Sequence, residues 1–274
     1  MEVIEGGDLA MQHRVHAGNF NEGEVAVYTA EILMGLWFLH NSGIVYRDLK
    51  LENILLDKGG HIKLADFGLS KDQLKHNGKT STMCGTARYL APEIVERNSY
   101  GIAVDLWALG VCMYELLLGT NPFTLESVKG ADGGAGGNAD MPEAAKVTLY
   151  KRIVGATVEF PSRLSSGASE LIGGLLRKNP EQRLGCHARR GEQELKESAF
   201  LRHINWDSAK DQKLKAPVIP QAAGNRNSKD EIDPLVELKT IGSEQFGGFG
   251  DAGDLEVDSS PFADFDWAQT VASR

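Results

Sequence analysis

Val45-Tyr46-Arg47-Asp48-Leu49-Lys50-Leu51-Glu52-Asn53 is the stretch on which both fold and chemistry turn. Asp48, Lys50 and Asn53 place a carboxylate, an ammonium and an amide within six residues. Immediately downstream, Ile54-Leu55-Leu56 and Ile62-Lys63-Leu64 flank Asp57-Lys58-Gly59-Gly60. Two short apolar runs around a turn sequence predict a hairpin. Such a hairpin brings Asn53, at its start, towards Asp66, just past its end. Asp66-Phe67-Gly68 and Ala91-Pro92-Glu93 then close the region. Each short motif is weak alone, because Arg-Asp pairs are common on surfaces and Asp-Phe-Gly is usually only a turn. Their order over roughly fifty residues carries the information.

Working outward, Asn21-Glu22-Gly23-Glu24 carries the N-cap and N3 residue types of a capping box. Val25, Tyr28, Ile32, Leu36 and Leu39 recur at helical spacing, and Trp37 and Phe38 widen the apolar face. This predicts a buried helix that stops near Gly43 and delivers the chain to Val45. Residues 104–118 are apolar apart from Asp105 and Glu115, the pattern of a helix buried nearly all round. Acids inside such a helix need partners. The Gly-rich stretch at about 129–141 has no apolar period and reads as a flexible surface insertion. Helical patterns resume near 144–153 and 169–176, and globular character is expected to end near Trp206.

The set formed by 45–53, 66–68 and 91–93 resembles the signature of eukaryotic protein kinases. The chain is similar to the large, catalytic lobe of a Ser/Thr kinase in the group holding protein kinases A, B and C and the ribosomal S6 kinases. The resemblance implies a mainly α lobe with small β-hairpins (α+β) over residues 1–206, then an extended C-terminal tail over 207–274. It implies transfer of the ATP γ-phosphate to Ser/Thr of protein substrates with Mg²⁺. That chemistry asks the protein for positioning and charge neutralisation. By the resemblance Asp48 meets the substrate hydroxyl and Lys50 steadies the moving phosphoryl group. Asn53 and Asp66 supply hard oxygen ligands to Mg²⁺. Met1 to Leu9 resembles the hinge between lobes, where Glu2 and Val3 present backbone groups to adenine and Asp8 contacts the ribose. Leu55 matches the floor beneath adenine.

The same resemblance makes residues 66–93 an activation segment. Thr82 matches a site phosphorylated by an upstream activating kinase, with Arg47 and Lys71 as its cationic partners. Thr86 matches the residue that bonds the catalytic Asp and Lys, which favours Ser/Thr over Tyr substrates. Glu52 and Glu115 match acids that receive arginines upstream of the phosphorylated residue, implying Arg-directed selection. One departure stands out: Ala87-Arg88 replaces the usual Pro-Glu and reverses a charge near the peptide groove. Asp105 matches an anchor of the catalytic-loop backbone, and Glu93 one half of an ion pair completed by Arg183. At 262–267, Phe262, Phe265, Asp266 and Trp267 resemble a hydrophobic docking motif, with Asp266 at the phosphorylatable position. The kinase Gly-rich loop, strand Lys and helix Glu belong before the hinge. The expectation is therefore a chain without its small lobe, inactive alone, from an active parent kinase. The alternative is a non-catalytic fragment acting as a binding or decoy module.

Composition narrows the classes further. The chain has 274 residues, 42% of them hydrophobic, and a net charge of −9, which argues against nucleic-acid binding by the whole surface. Residues 207–274 hold seven Lys/Arg against thirteen Asp/Glu. No apolar run approaches a membrane span, and no signal peptide is evident. Cys84, Cys112 and Cys186 form no disulfide framework, so a reducing compartment is expected: the cytoplasm, with the nucleus as a second location. Cys186-His187 has no second pair of metal-ligand types and reads as structural. Gly248 to Gly253 spells G-x-G-x-x-G, but no strand precedes it and no Lys follows, so it is not an ATP loop.

Overall fold

The structure, a computed structural model, describes residues 6–16, 20–72, 85–124, 141–187 and 190–220. Glu2, Val3, Thr82, Cys84, most of the Gly-rich stretch and the 262–267 motif lie outside the described residues, as does the Lys71 side chain. The central element is the helix expected from the Asn21 pattern. After α1 (Leu9–Val15), α2 runs Glu22–Asn41. Asn21 Oδ1 accepts from the Glu24 amide at 3.0 Å, and the Glu24 carboxylate accepts from the Asn21 amide at 2.8 Å, which completes the capping box. The helix ends where Gly43 takes φ 73°. Polar Thr29 and Glu31 are buried along with its apolar residues, so α2 is enclosed on nearly every side.

Among the described residues, four short strands follow in two antiparallel ladders. The expected hairpin is β2 (Ile54–Leu56) with β3 (Ile62–Leu64), in register Ile54 to Leu64 and Leu56 to Ile62. A second ladder, with no sequence signal, joins β1 (Ile44–Val45) to β4 (Lys71–Asp72) across the whole 45–70 region. The remaining helices are α3 (Pro92–Val95), α4 (Ala103–Leu118), α5 (Glu143–Gly155), α6 (Ser166–Leu175), α7 (Gly191–Glu197) and α8 (Trp206–Lys210). The mainly α lobe with small β-ladders is thus the observed architecture. Helix α6 begins a turn earlier than its apolar pattern, because Ser165 caps it by accepting from the Ala168 amide.

Helix α4 packs against α2 on one side and α6 on another. The approach to α6 is close: a Cβ built on Gly110 would lie 2.9 Å from Leu175 Cβ. Any larger side chain there must push the helices apart. Among the large side chains fully enclosed are Trp107, Tyr28, Tyr46 and Phe123. Each large apolar side chain so buried contributes roughly 1.5–3 kcal/mol.

Packing also continues past Trp206, where the sequence pattern led us to expect globular character to fade. Trp206 sits 5.3 Å from Trp37 between ring centroids, and the Lys196 ammonium lies 4.9 Å and 5.6 Å from those two rings. Leu214 and Val218 rest against the core. A stretch dominated by polar residues hides two or three anchors, and the anchors decide where it lies.

The hairpin is pinned to α2 by one buried acid. Glu31 accepts from the Ile62 amide at 3.0 Å and faces His61 Nδ1 at 2.7 Å. That bond raises the His61 pKa above its usual value near roughly 6.5, with burial working against it. A raised imidazole pKa stabilises the fold while His61 is charged in both states, and the contribution fades as pH climbs through the folded value. We expect the His61 contribution to fade as pH rises from about 6 through the raised folded value, and His61→Gln to flatten that slope. Urea unfolding at several pH values reads this directly; an unchanged slope in His61→Gln would rule it out.

Candidate active site

The site begins with a carboxylate that never reaches solvent. Asp105, in the first turn of α4, is 1% exposed. It accepts from the Tyr46 amide at 3.0 Å, the Arg47 amide at 2.8 Å and His40 Nε2 at 2.7 Å. Arg47 carries φ 73°, a left-handed conformation that costs a non-glycine residue roughly 1–3 kcal/mol. The Asp105 bonds hold it there, and the chain turns so that Asp48 projects towards the 85–89 segment. Arg47 Nε donates to the Leu69 carbonyl, and its Nη1 lies 3.4 Å from the Tyr100 hydroxyl.

Asp48 is 6% exposed, and its two oxygens are fully engaged. Oδ1 accepts from the Thr86 hydroxyl at 3.1 Å and the Thr86 amide at 3.2 Å. Oδ2 accepts from Lys50 Nζ at 2.9 Å and Asn53 Nδ2 at 2.9 Å. Lys50 Nζ also donates to Thr86 Oγ1 at 3.0 Å, and Asn53 Nδ2 to the Asp48 carbonyl at 2.8 Å. The four sequence-predicted residues Asp48, Lys50, Asn53 and Thr86 therefore form one closed network. An ionised carboxylate in such a network is oriented as well as charged.

Asn53 ends a short 3₁₀ turn, Leu51–Asn53, and leads straight into β2. Its carbonyl accepts from the Ala65 amide at 3.0 Å, which sets Asp66 across from it, past the end of β3. Asp66 is exposed, has φ 56°, and accepts from the Gly68 amide at 3.1 Å. Tyr46, which the sequence reading passed over, ties these parts together. Its hydroxyl donates to the Ala65 carbonyl and its ring meets Phe67 edge-on at 5.4 Å. Burial, reinforced by the charges of Asp48, Asp66 and Asp105, pushes its pKa well above the ordinary tyrosine value, so the hydroxyl stays a donor.

Asp8 and Leu55 are also neighbours. The two bridge through their backbones, and the pairing extends through Leu56 N to Gly7 O at 2.9 Å and Gly6 N to Leu56 O at 3.0 Å. Leu55 is buried yet stands apart from the main core, which Ile54 and Leu56 join on the other face of the strand. Asp8 Oδ1 meanwhile caps α1 by accepting from the Met11 amide at 2.6 Å.

The two acids expected to bind substrate arginines stand differently. Glu52 is on the surface, its side chain 40% exposed, with Arg88 Nη2 at 3.4 Å. Glu115 is inside, 8% exposed, and both its oxygens are engaged: Oε2 by the Tyr89 hydroxyl at 2.5 Å and Oε1 by Asn121 Nδ2 at 3.0 Å. Burial raises the Glu115 pKa, and the Tyr89, Arg88 and Asn121 contacts oppose that rise.

Arg183 is fully enclosed, and its donors are all met. Nη1 and Nη2 grip the Glu93 oxygens at 2.7 Å and 2.9 Å, and Nη1 also reaches the Ala103 carbonyl at 2.7 Å. Nε bonds the Arg177 carbonyl at 3.1 Å and Nη2 the Lys178 carbonyl at 3.4 Å. The pair fastens the end of the 85–95 segment to the α6–α7 region. Beside it Lys178 lies over Trp107 and Phe123, which stack 5.3 Å apart, and burial lowers its pKa to about 8.

Comparison with known proteins gives a family match. The protein kinase domain profile matches residues 1–193. The chain is 41% identical over 261 residues to protein kinase C zeta type of Oryctolagus cuniculus, covering 91% of this chain and 42% of that protein. It is 39% identical over 227 residues to atypical protein kinase C of Drosophila melanogaster, covering 83% and 36%. Against protein kinase C epsilon type of Rattus norvegicus the identity is 38%, over 91% of this chain and 33% of the relative. The chain thus spans about a third to two-fifths of the length of these relatives.

The enclosed ion pair generates a stability expectation. Arg183→Met strands the Glu93 carboxylate in the core and should cost roughly 3–5 kcal/mol. Adding Glu93→Leu removes the orphaned charge and should recover a substantial part. Equilibrium urea unfolding of the two variants decides; a double variant less stable than Arg183→Met alone would refute this account.

Proposed function

The chain belongs to the protein kinase family, and on that premise we propose that the protein transfers the γ-phosphoryl group of ATP to serine and threonine hydroxyls of protein substrates. The observation that carries this reading is the Asp48 carboxylate, held by Lys50, Asn53 and Thr86 at the mouth of the 85–89 segment. A carboxylate fixed in this way suits an incoming hydroxyl that takes over the Oδ1 position held by the Thr86 hydroxyl, orienting it and accepting its proton. Lys50 spends two of its three N–H donors on Asp48 and Thr86, which holds its charge beside Asp48 where it suits a cation that steadies the moving phosphoryl group. Thr86, bonded to both Asp48 and Lys50, occupies the position that by resemblance favours Ser/Thr over Tyr acceptors.

Residues present at the site fit Mg²⁺ and ATP by chemistry. Asn53 and Asp66 are hard oxygen donors, and the backbone bond from the Ala65 amide to the Asn53 carbonyl, one residue before Asp66, supports their sharing an ion. Among the described residues there is no cluster of three or more His, Cys, Asp or Glu that could hold a metal. One carboxylate and one amide suit an ion that draws most of its shell from phosphates and water. Leu55, buried and outside the main core cluster, matches the adenine floor by the family resemblance alone, and Asp8 beside it carries a carboxylate suited to a sugar. Bound Mg²⁺–ATP would supply the phosphoryl group and much of the charge neutralisation; Asp48 and Lys50 supply orientation and proton acceptance. Arg47, fixed by Asp105 and the Leu69 carbonyl, supports Thr82 as a phosphorylation site for an upstream kinase. The absence of a disulfide framework in the sequence is what supports a reducing, cytoplasmic setting. No helix among the described residues is long and apolar enough to cross a membrane.

In the full-length protein, Asp48→Asn should lower turnover by about 10²–10⁴-fold while leaving nucleotide binding nearly intact. Asp66→Asn should instead raise the Mg²⁺ concentration needed for ATP use. A phosphotransfer assay paired with nucleotide titration separates the two. Near-normal turnover in Asp48→Asn would remove the basis for the assignment.

A further inference from the structure

Charge around Asp48 is distributed in a way the catalytic network does not use. Two segments wall the Asp48 carboxylate: the 3₁₀ turn Leu51–Asn53 on one side and the turn Ala87–Tyr89 on the other. Any peptide that offers a hydroxyl to Asp48 must cross these two turns. Each carries one charged side chain there, exposed Glu52 on the first and half-buried Arg88 on the second. These two face each other, with Arg88 Nη2 3.4 Å from Glu52 Oε1. The Arg88 guanidinium also lies 5.9 Å over the Tyr89 ring, and its carbonyl accepts from Asn121 Nδ2 at 3.3 Å. Tyr89 in turn is buried and tied to Glu115. Arg88 is therefore aimed at Glu52 by a turn fastened from below.

Taking Asp48 as the group that meets the acceptor hydroxyl, we infer that Arg88 is a specificity-determining residue: a built-in cation that occupies Glu52 and competes with any basic side chain of the substrate. Glu115 offers no substitute, since both of its oxygens are engaged inside the protein. The acidic subsite beside the acceptor is thus largely neutralised from within. A peptide with arginine upstream of its serine gains little over a neutral one, because its arginine must displace Arg88 to reach the carboxylate. The exchange is not prohibitive, since the Arg88 and Glu52 side chains are 25% and 40% exposed and such pairs are weak.

The test compares two acceptor peptides on the full-length protein, one with arginine upstream of its serine and one with citrulline there instead. Arg88→Gln should raise the arginine-to-citrulline ratio of kcat/KM about 1.5- to 5-fold, carried by KM, the range open to an exposed pair. Arg88→Lys keeps the cation and should stay near the wild-type ratio. In a Glu52→Gln background the ratio should fall towards one, and Arg88→Gln should no longer change it. An unchanged ratio in folded Arg88→Gln would overturn the inference. So would an equal gain in the Glu52→Gln background, which would mean a diffuse field and not occupation of Glu52. Fluorescence-anisotropy binding of the same peptides reads the competition without turnover. Failure of Asp48→Asn to abolish phosphotransfer would therefore count against the catalytic reading alone, and equal peptide affinities across the Arg88 variants against this one.

Discussion

A single buried carboxylate sets the geometry on which the rest of the lobe depends. Asp105 accepts two successive backbone amides, those of Tyr46 and Arg47, and a third bond from His40. Two consecutive amides pointing at one side chain require an unusual backbone, and Arg47 supplies it with φ 73°. Hydrogen bonds to a charged acceptor contribute more than neutral ones, about 1.5–3 kcal/mol each. Together they outweigh the strain of one left-handed residue, so the turn is held by α4 and not by local preference. Asp48 inherits its direction from that turn, and Lys50 and Asn53 are ordered against Asp48 in their turn.

Other buried acids do the same kind of work elsewhere. Glu31 joins α2 to the β2–β3 hairpin, and Glu93 joins the end of the 85–95 segment to Arg183. Glu115 joins α4 to Tyr89 and Asn121. In each case the acid sits on a helix, and at least one of its partners lies on a loop or turn. An apolar contact would hold those loops at some distance but leave them free to slide. A carboxylate with directional partners fixes the register, and its burial makes loss of a partner expensive. The helices form the frame, and paired charges attach the functional loops to it.

This division explains what could be read in the sequence. The residues at 45–53 and 66–68 are contiguous, chemically distinctive and ordered, so they were legible. The helices α2 and α4 were legible as well, because cap residues and apolar spacing are local properties. The partners of the buried acids were legible only where a resemblance supplied them, as with Glu93 and Arg183. His40 lies 65 residues from Asp105, and nothing in its neighbours distinguishes it from any polar residue near a helix end. The Glu31–His61 link spans 30 residues with no pattern at all. The β1–β4 ladder is two residues long on each side, too short for alternation to register. Packing beyond Trp206 was missed for a related reason: a few anchors, Trp206, Leu214 and Val218, outweigh a polar composition.

The turn Ala87–Tyr89 shows how closely the two charge systems are coupled. Thr86, its N-terminal neighbour, bonds Asp48 and Lys50. Tyr89, its last residue, bonds Glu115, and Asn121 holds the carbonyl of Arg88 between them. A segment fixed at both ends and in the middle has little freedom to move one charge without the other. The residue that completes the Asp48 hydrogen-bond network and the one that faces Glu52 are two positions apart, at the same fixed turn. The resemblance assigned Glu115 to the substrate, yet a buried acid bonded to Tyr89 serves the turn first. Its negative charge still favours a cation nearby, and Arg88 lies close enough to oppose the upward push of burial on its pKa. Glu115 beneath the turn and Glu52 beside it thus both favour a positive charge at Arg88. Replacing that arginine alters the electrostatics of the peptide path while the Thr86–Asp48–Lys50 network keeps its own partners.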